Sequence, residues 1–87
     1  MEWTVYVIES VSFGRRYVGL CRDVQVRLTE HNSGKTKSTK AFRPWKLKYF
    51  ELFNESAEAR RREKYFKTAA GRRFLKGKLG PVVQRIE

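Results

Sequence analysis

The chain has one cysteine, Cys21, among 87 residues, so no internal disulfide can form. That fits a reducing compartment, here the cytoplasm, and excludes a zinc site built on several cysteines. No apolar run approaches the ~20 residues that span a bilayer. The N-terminal Met1-Glu2-Trp3-Thr4 has no basic stretch leading into an apolar one, so it does not read as a signal peptide. Acidic residues are scarce as well: nine Asp and Glu stand against twenty Lys and Arg, a net charge of +11. Such an excess repels itself and should have a reason. Nucleic acid is the first candidate, an anionic membrane the second and a solvated surface with no partner the third. The lack of a basic helix with an apolar far side counts against the membrane.

The length implies one domain, expected over residues 1–80, followed by a tail at 81–87. A domain of this size buries only roughly 60–65 % of its unfolded surface, so the core must be compact. Six Phe, four Tyr and two Trp can supply it.

Residues 3–9 and 15–20 are rich in β-branched and aromatic side chains and read as two strands of a hairpin. Gly14 is expected to supply a positive φ in the turn. Asp23 is a good N-cap for a helix that runs to about Asn32, and Gly34 stops it. Residues 35–44 read as a basic loop without acids, and 45–53 as a third strand. Asn54 or Ser56 caps a second helix, which Gly71 breaks. Arg72 to Lys78 forms a short last helix that ends at Gly80-Pro81. The order β-β-α-β-α-α predicts a small α+β domain, a three-stranded, mostly antiparallel sheet flanked by helices.

Glu63 lies in the second helix. Ala59, Glu63, Phe66 and Ala70 recur at i, i+4, i+7 and i+11, one helical face. A carboxylate turned inward is costly unless it is paired or holds a cation. The ordinary alternative is an i,i+4 pair with Lys67 at the edge of the face, contributing ~0.2–0.5 kcal/mol. Tyr6 and Tyr17 are centred in the two hairpin strands, and a hairpin brings both phenols to one face. Both could equally be core aromatics. Gly19, inside the second strand, signals a close backbone approach or a ligand surface. Arg27 and His31 are i and i+4 on the helix face that carries Val24 and Leu28. Such an arginine pairs with an acid or a phosphate, or snorkels to water.

In order and spacing these residues resemble the GIY-YIG nuclease family. Val5-Tyr6 stands at the first motif and Tyr17-Val18-Gly19 at the second. Arg27 falls in the helix that follows, and Glu63 matches the family's metal-binding glutamate. The likeness runs from about Trp3 to Leu79 and is similar above all to the small, stand-alone bacterial members. Those share His31-Asn32-Ser33-Gly34, Ser38-Thr39-Lys40 and Arg43-Pro44. Thr4 replaces the first motif's glycine. Leu20 stands where the repair branch has lysine, and no asparagine follows Glu63.

The resemblance implies the family's fold and an endonuclease that hydrolyses DNA with one Mg²⁺ or Mn²⁺. Its catalytic set would be Tyr6, Tyr17, Arg27, His31 and Glu63, with Glu63 the metal ligand. Arg27 would clamp the phosphate and Tyr17 act as general base, with Tyr6 beside it. A free tyrosine has a pKa near ~10, so that role needs a shift of about 3 units at neutral pH. His31 would relay a proton or touch a phosphate. Lys35, Lys37, Lys40, Arg43, Lys46 and Lys48 would line the DNA path. With no separate DNA-reading domain, weak sequence specificity is expected. Selection would then rest on branched or damaged DNA, or on a protein partner, in repair or recombination. The competing expectations are an idle nucleic-acid-binding module of the same fold and an RNA-binding structural protein.

Overall fold

A computed structural model describes residues 2–81. Most of the expected tail, 82–87, lies outside the described residues. Three strands, β1 (Trp3–Ser10), β2 (Arg16–Cys21) and β3 (Trp45–Phe53), form one sheet in the order β2-β1-β3. Both pairings are antiparallel. Four helices complete the domain: α1 (Val24–Ser33), α2 (Lys37–Lys40), α3 (Ser56–Phe66) and α4 (Ala69–Leu79). No helix among the described residues is long and apolar enough to cross a membrane.

β1 is the central strand, and helices cover both of its faces. Thr4 to Ile8 are therefore buried without alternation, as a strand between two layers must be. One cluster joins Val5, Val7 and Val18 to Ala59 and Phe66 of α3 and Leu75 of α4. The other joins Tyr6, Ile8, Cys21 and Trp45 to Val24 and Leu28 of α1. β3 serves both clusters through a register shift opposite Val7/Ile8. Trp45 and Leu47 pack on the α1 side, Tyr49 and Phe53 on the α3 side. A bulge of this kind re-aims the side chains that follow it.

The helix ends follow local chemistry. Asp23 Oδ1 accepts from the amides of Gln25 at 3.0 Å and Val26 at 3.1 Å. Gly34 closes α1 at φ 87°, a conformation that costs a side chain. The hairpin turn differs from expectation, because Gly14 does not take a positive φ. Instead the buried Ser10 hydroxyl accepts from the Phe13 amide at 3.0 Å and donates to the Phe42 carbonyl at 2.8 Å. The basic loop also contains a short helix, α2. Neither Asn54 nor Ser56 caps α3. Glu55 holds that position, without a side-chain bond.

Gly71 does not break the helix. Thr68 does the stopping and restarting, since its hydroxyl accepts from the Gly71 amide at 3.1 Å and opens α4. Ala70 consequently belongs to α4 and is exposed, so the inward face of α3 ends at Phe66. Gly71 is buried where α4 turns back onto α3. A Cβ there would stand against the Tyr65 carbonyl oxygen and Phe66 Cα, which are backbone atoms that cannot swing aside. Gly77, further along α4, has nothing within 4 Å of its would-be Cβ.

These two glycines of one helix predict opposite outcomes. Gly77→Ala should stabilise the fold by about 0.5–1 kcal/mol through helix propensity. Gly71→Ala gains the same propensity, but overpacking against backbone costs about 1–3 kcal/mol or more, so the sum is destabilising. Urea unfolding of both variants checks the signs.

Candidate active site

The hairpin register sets Tyr6 opposite Gly19 and Tyr17 opposite Ile8. Opposed residues share a face, so both phenols lie on the α1 side of the sheet, their ring centroids 6.3 Å apart. A Cβ on Gly19 would coincide with the phenol end of Tyr6. Of the two roles a strand glycine suggests, close approach is the one that applies here: the ring of Tyr6 lies across it.

α1 brings His31 down onto this pair. Its ring is 1 % exposed, and both nitrogens are engaged. Tyr6 Oη lies 2.8 Å from Nε2, and Thr39 Oγ1 lies 2.8 Å from Nδ1. The Thr39 hydroxyl donates to the Thr36 carbonyl at 3.3 Å, so its oxygen receives the Nδ1 proton. That assigns the neutral tautomer protonated at Nδ1, with Nε2 accepting the proton of Tyr6. Burial lowers the His31 pKa, and the Arg27 charge lowers it further. Burial likewise raises that of Tyr6, joined by the neighbouring Tyr17. Tyr6 is thus held as a neutral donor. Tyr17 meets the His31 ring edge-on at 5.1 Å and is only half-buried.

Arg27 and Glu63 stand further out. Both are close enough for their charges to act on the Tyr6 phenol, Arg27 lowering and Glu63 raising its pKa. Arg27 is half-exposed and holds only a loose pair with Glu30, at 3.6 Å. The Glu63 side chain is 23 % exposed and pairs with Lys67 at 3.2 Å through one oxygen, Oε2. The expected i,i+4 pair therefore forms, at the edge of the buried face. Arg62, next in the chain, is structural. It grips Glu51 at 2.7 and 3.1 Å and lies 4.6 Å over the Phe66 ring, and it lowers the pKa of Glu51. This pins α3, and so Glu63, to β3.

The three segments shared with small family members are joined in space. Asn32 clasps the backbone of Trp45, its Oδ1 accepting at 2.6 Å and its Nδ2 donating at 2.9 Å. The Trp45 indole donates to the Thr39 carbonyl at 2.9 Å. The Arg43 guanidinium lies against Gly34. Thr39 and Asn32 were not singled out from the sequence as site residues. A polar residue eight positions after a buried histidine gives no periodic signal. Lys35, Lys37, Lys40, Arg43, Lys46 and Lys48 are all exposed. Among the described residues no group of three or more His, Cys, Asp or Glu is placed to hold a metal.

His31 is the only histidine, so its titration can be isolated. Its folded pKa lies below the unfolded value of ~6.5. The unfolded chain therefore binds more protons in the window between the two. Stability should be complete above about pH 6.5, fall as pH drops toward the folded pKa, and level off beneath it. Urea unfolding between pH 7.5 and 5 should show that fall, and His31→Gln should flatten it. Nitrogen-15 spectra should show the Nδ1-protonated tautomer at pH 7.

The family model for the GIY-YIG catalytic domain matches residues 2–76. A UPF0213 protein of Streptococcus agalactiae is 48 % identical over 64 residues, covering 72 % of each chain. One of Staphylococcus saprophyticus is 36 % identical over 73 residues, 83 % of this chain and 88 % of its own. The solution NMR structure of a UPF0213 protein from Bacillus halodurans superposes with a TM-score of 0.55 at 31 % identity. That alignment covers 92 % of this chain and 87 % of the other. The family model spans both tyrosine strands, α1 and the Glu63 helix, and the relatives in sequence and fold agree with it: the chain belongs to the GIY-YIG nuclease family.

Proposed function

We propose that this chain is a divalent-metal-dependent endonuclease that hydrolyses DNA phosphodiester bonds, with Tyr6, Tyr17, Arg27, His31 and Glu63 as its working set. The observation that carries this is the buried Tyr6–His31–Thr39 chain beside a half-exposed Tyr17. Arg27 and Glu63 stand within electrostatic reach of it. A plain binding surface needs no neutral phenol locked next to a second phenol, an arginine and a carboxylate.

The donor set fits a weakly held, hard cation. Glu63 offers a single carboxylate with one oxygen outside the Lys67 pair. That suits Mg²⁺ or Mn²⁺, which keep several waters and take further oxygens from a substrate phosphate. Such a cation would neutralise charge on the phosphate and the departing oxygen. Arg27, loosely tethered, turns to a non-bridging phosphate oxygen. Tyr17, the less buried of the two phenols, would act as its phenolate: it gives its own proton to solvent and then takes one from the attacking water. Tyr6 stays protonated and holds Tyr17 and the water in place. His31 keeps Tyr6 oriented. With both nitrogens engaged it has none free for a phosphate, and a proton reaches it only through Tyr6.

The exposed basic residues from Lys35 to Lys48 supply the path for the duplex. The basic residues meet backbone phosphates, which carry no sequence information, so weak sequence specificity is proposed, with selection by DNA shape or by a partner, in repair or recombination. The second reading, a binding module without catalysis, rests on the Glu63–Lys67 pair. A carboxylate already matched to a lysine has less need of a metal.

Plasmid nicking with Mg²⁺ or Mn²⁺, run beside branched and single-stranded substrates, separates the two readings. Glu63→Ala should lower cleavage at least about 100-fold, as loss of a transition-state charge partner does, while DNA binding persists. Full activity in that variant would remove Glu63 from the metal site. Tight binding without cleavage of any substrate would favour the second reading, and a preference for RNA would favour neither. Separately, the combined change of Lys35, Lys37 and Lys40 to Ala should reduce the slope of log affinity against log salt by up to about 3. An unchanged slope would place the duplex elsewhere.

A further inference from the structure

A cleft of about 620 Å³ is bordered by residues of β2 and α4. Its volume is in the ~300–1,000 Å³ range of pockets that take small ligands. Tyr17, Val18, Phe66 and Leu75 line it together with Lys67, Arg72 and Lys76. Arg16 also borders it, but its guanidinium is committed to Glu9 at 2.9 Å and the Gly80 carbonyl at 2.6 Å. Arg72 and Lys76 are exposed and form no ion pair among the described residues. They are one helical turn apart, about 6 Å along the axis.

We infer that this cleft receives one unpaired nucleotide of the substrate strand, next to the phosphate that Tyr17 serves. The inference rests on the reading of Tyr17 as part of the reaction centre. A lining of apolar and aromatic residues suits a base, and the unpaired Arg72 and Lys76 suit its phosphates. The space is far too narrow for a duplex. A base in a duplex faces its partner and cannot enter, so the occupant must be unpaired or turned out of the stack. Because Tyr17 lines the cleft as well, that nucleotide lies beside the cleaved bond. The substrate class is then DNA with an unpaired nucleotide at the cut, such as a bulge, an overhang or a single strand.

The test uses the full chain in EDTA, where no cleavage occurs, and fluorescence anisotropy with three probes. These are a blunt duplex, the same duplex with a one-nucleotide bulge, and that bulge made abasic. The bulge with its base should bind about tenfold more tightly than the abasic one, and the methyl resonances of Val18 and Leu75 should shift only with the former. The double variant Arg72→Ala/Lys76→Ala should lose about tenfold for the bulged probe and at most about threefold for the blunt one. Equal binding of the based and abasic probes, unmoved methyls, or no binding of any probe would overturn the inference. Nicking decides the endonuclease reading separately. Cleavage without base preference removes the cleft and keeps the enzyme. Base preference without cleavage of any substrate does the reverse.

Discussion

The hydrogen bond between Tyr6 and His31 is the constraint around which the α1 side of the domain is arranged. It is 2.8 Å long and buried in an otherwise apolar cluster. Left unpaired there, either group would cost about 1–3 kcal/mol. So the partners must be in place whenever the domain is folded. Tyr6 requires Gly19 beneath its ring, and His31 requires Thr39 behind it. Thr39 in turn requires α2 and the Trp45 indole. A hairpin, two helices and the start of β3 are thereby tied to one proton arrangement. Among the described residues no buried side-chain nitrogen or oxygen is left without a partner, as a buried polar network requires.

The sheet then solves a second problem. α1 and α3 pack on opposite faces, yet Arg27 and Glu63 both act on the same phenol. The bulge opposite Val7/Ile8 contributes by letting β3 commit its first residues to α1 and its later ones to α3. Arg62 adds the clamp, since its bond to Glu51 fixes α3 against β3 while Glu63, one residue on, faces the site edge. Two neighbours in the chain therefore have unlike surroundings, Arg62 holding the helix and Glu63 paired with Lys67 at the edge of the face.

Much of this was legible in the sequence. The strands, the Asp23 cap, the Gly34 stop and the shared face of Tyr6 and Tyr17 follow from local chemistry and period. What was not legible depends on contacts far apart in the chain. Gly71 looked like a breaker because glycine usually is one. Only the packing of α4 on the end of α3 shows that it is needed for lack of a side chain, with Thr68 doing the capping. Gly14 looked like the turn residue, but Ser10 holds the turn through Phe42, 32 residues away. Thr39 lay in a stretch whose composition reads as basic loop, marked only by the likeness of Ser38-Thr39-Lys40 to small family members. Its role depends on His31 being buried above it, which composition cannot reveal.

Charge is the last link. On the proposed reading, the edge of the site carries one carboxylate, Glu63, with Lys67 bound to it and Arg27 nearby. Before substrate arrives the Lys67 charge on one carboxylate oxygen, and the surrounding field from a chain of net charge +11, repel a divalent ion from the other oxygen. A polyanion reverses both effects. Its phosphates draw off Lys67 and Arg27, and its oxygens add the ligands that one carboxylate lacks. The order in which the site fills is then set by electrostatics, DNA first and metal second. On that reading a fold this rich in lysine and arginine would manage with a single acid as metal ligand, because the substrate would supply the rest of the negative charge.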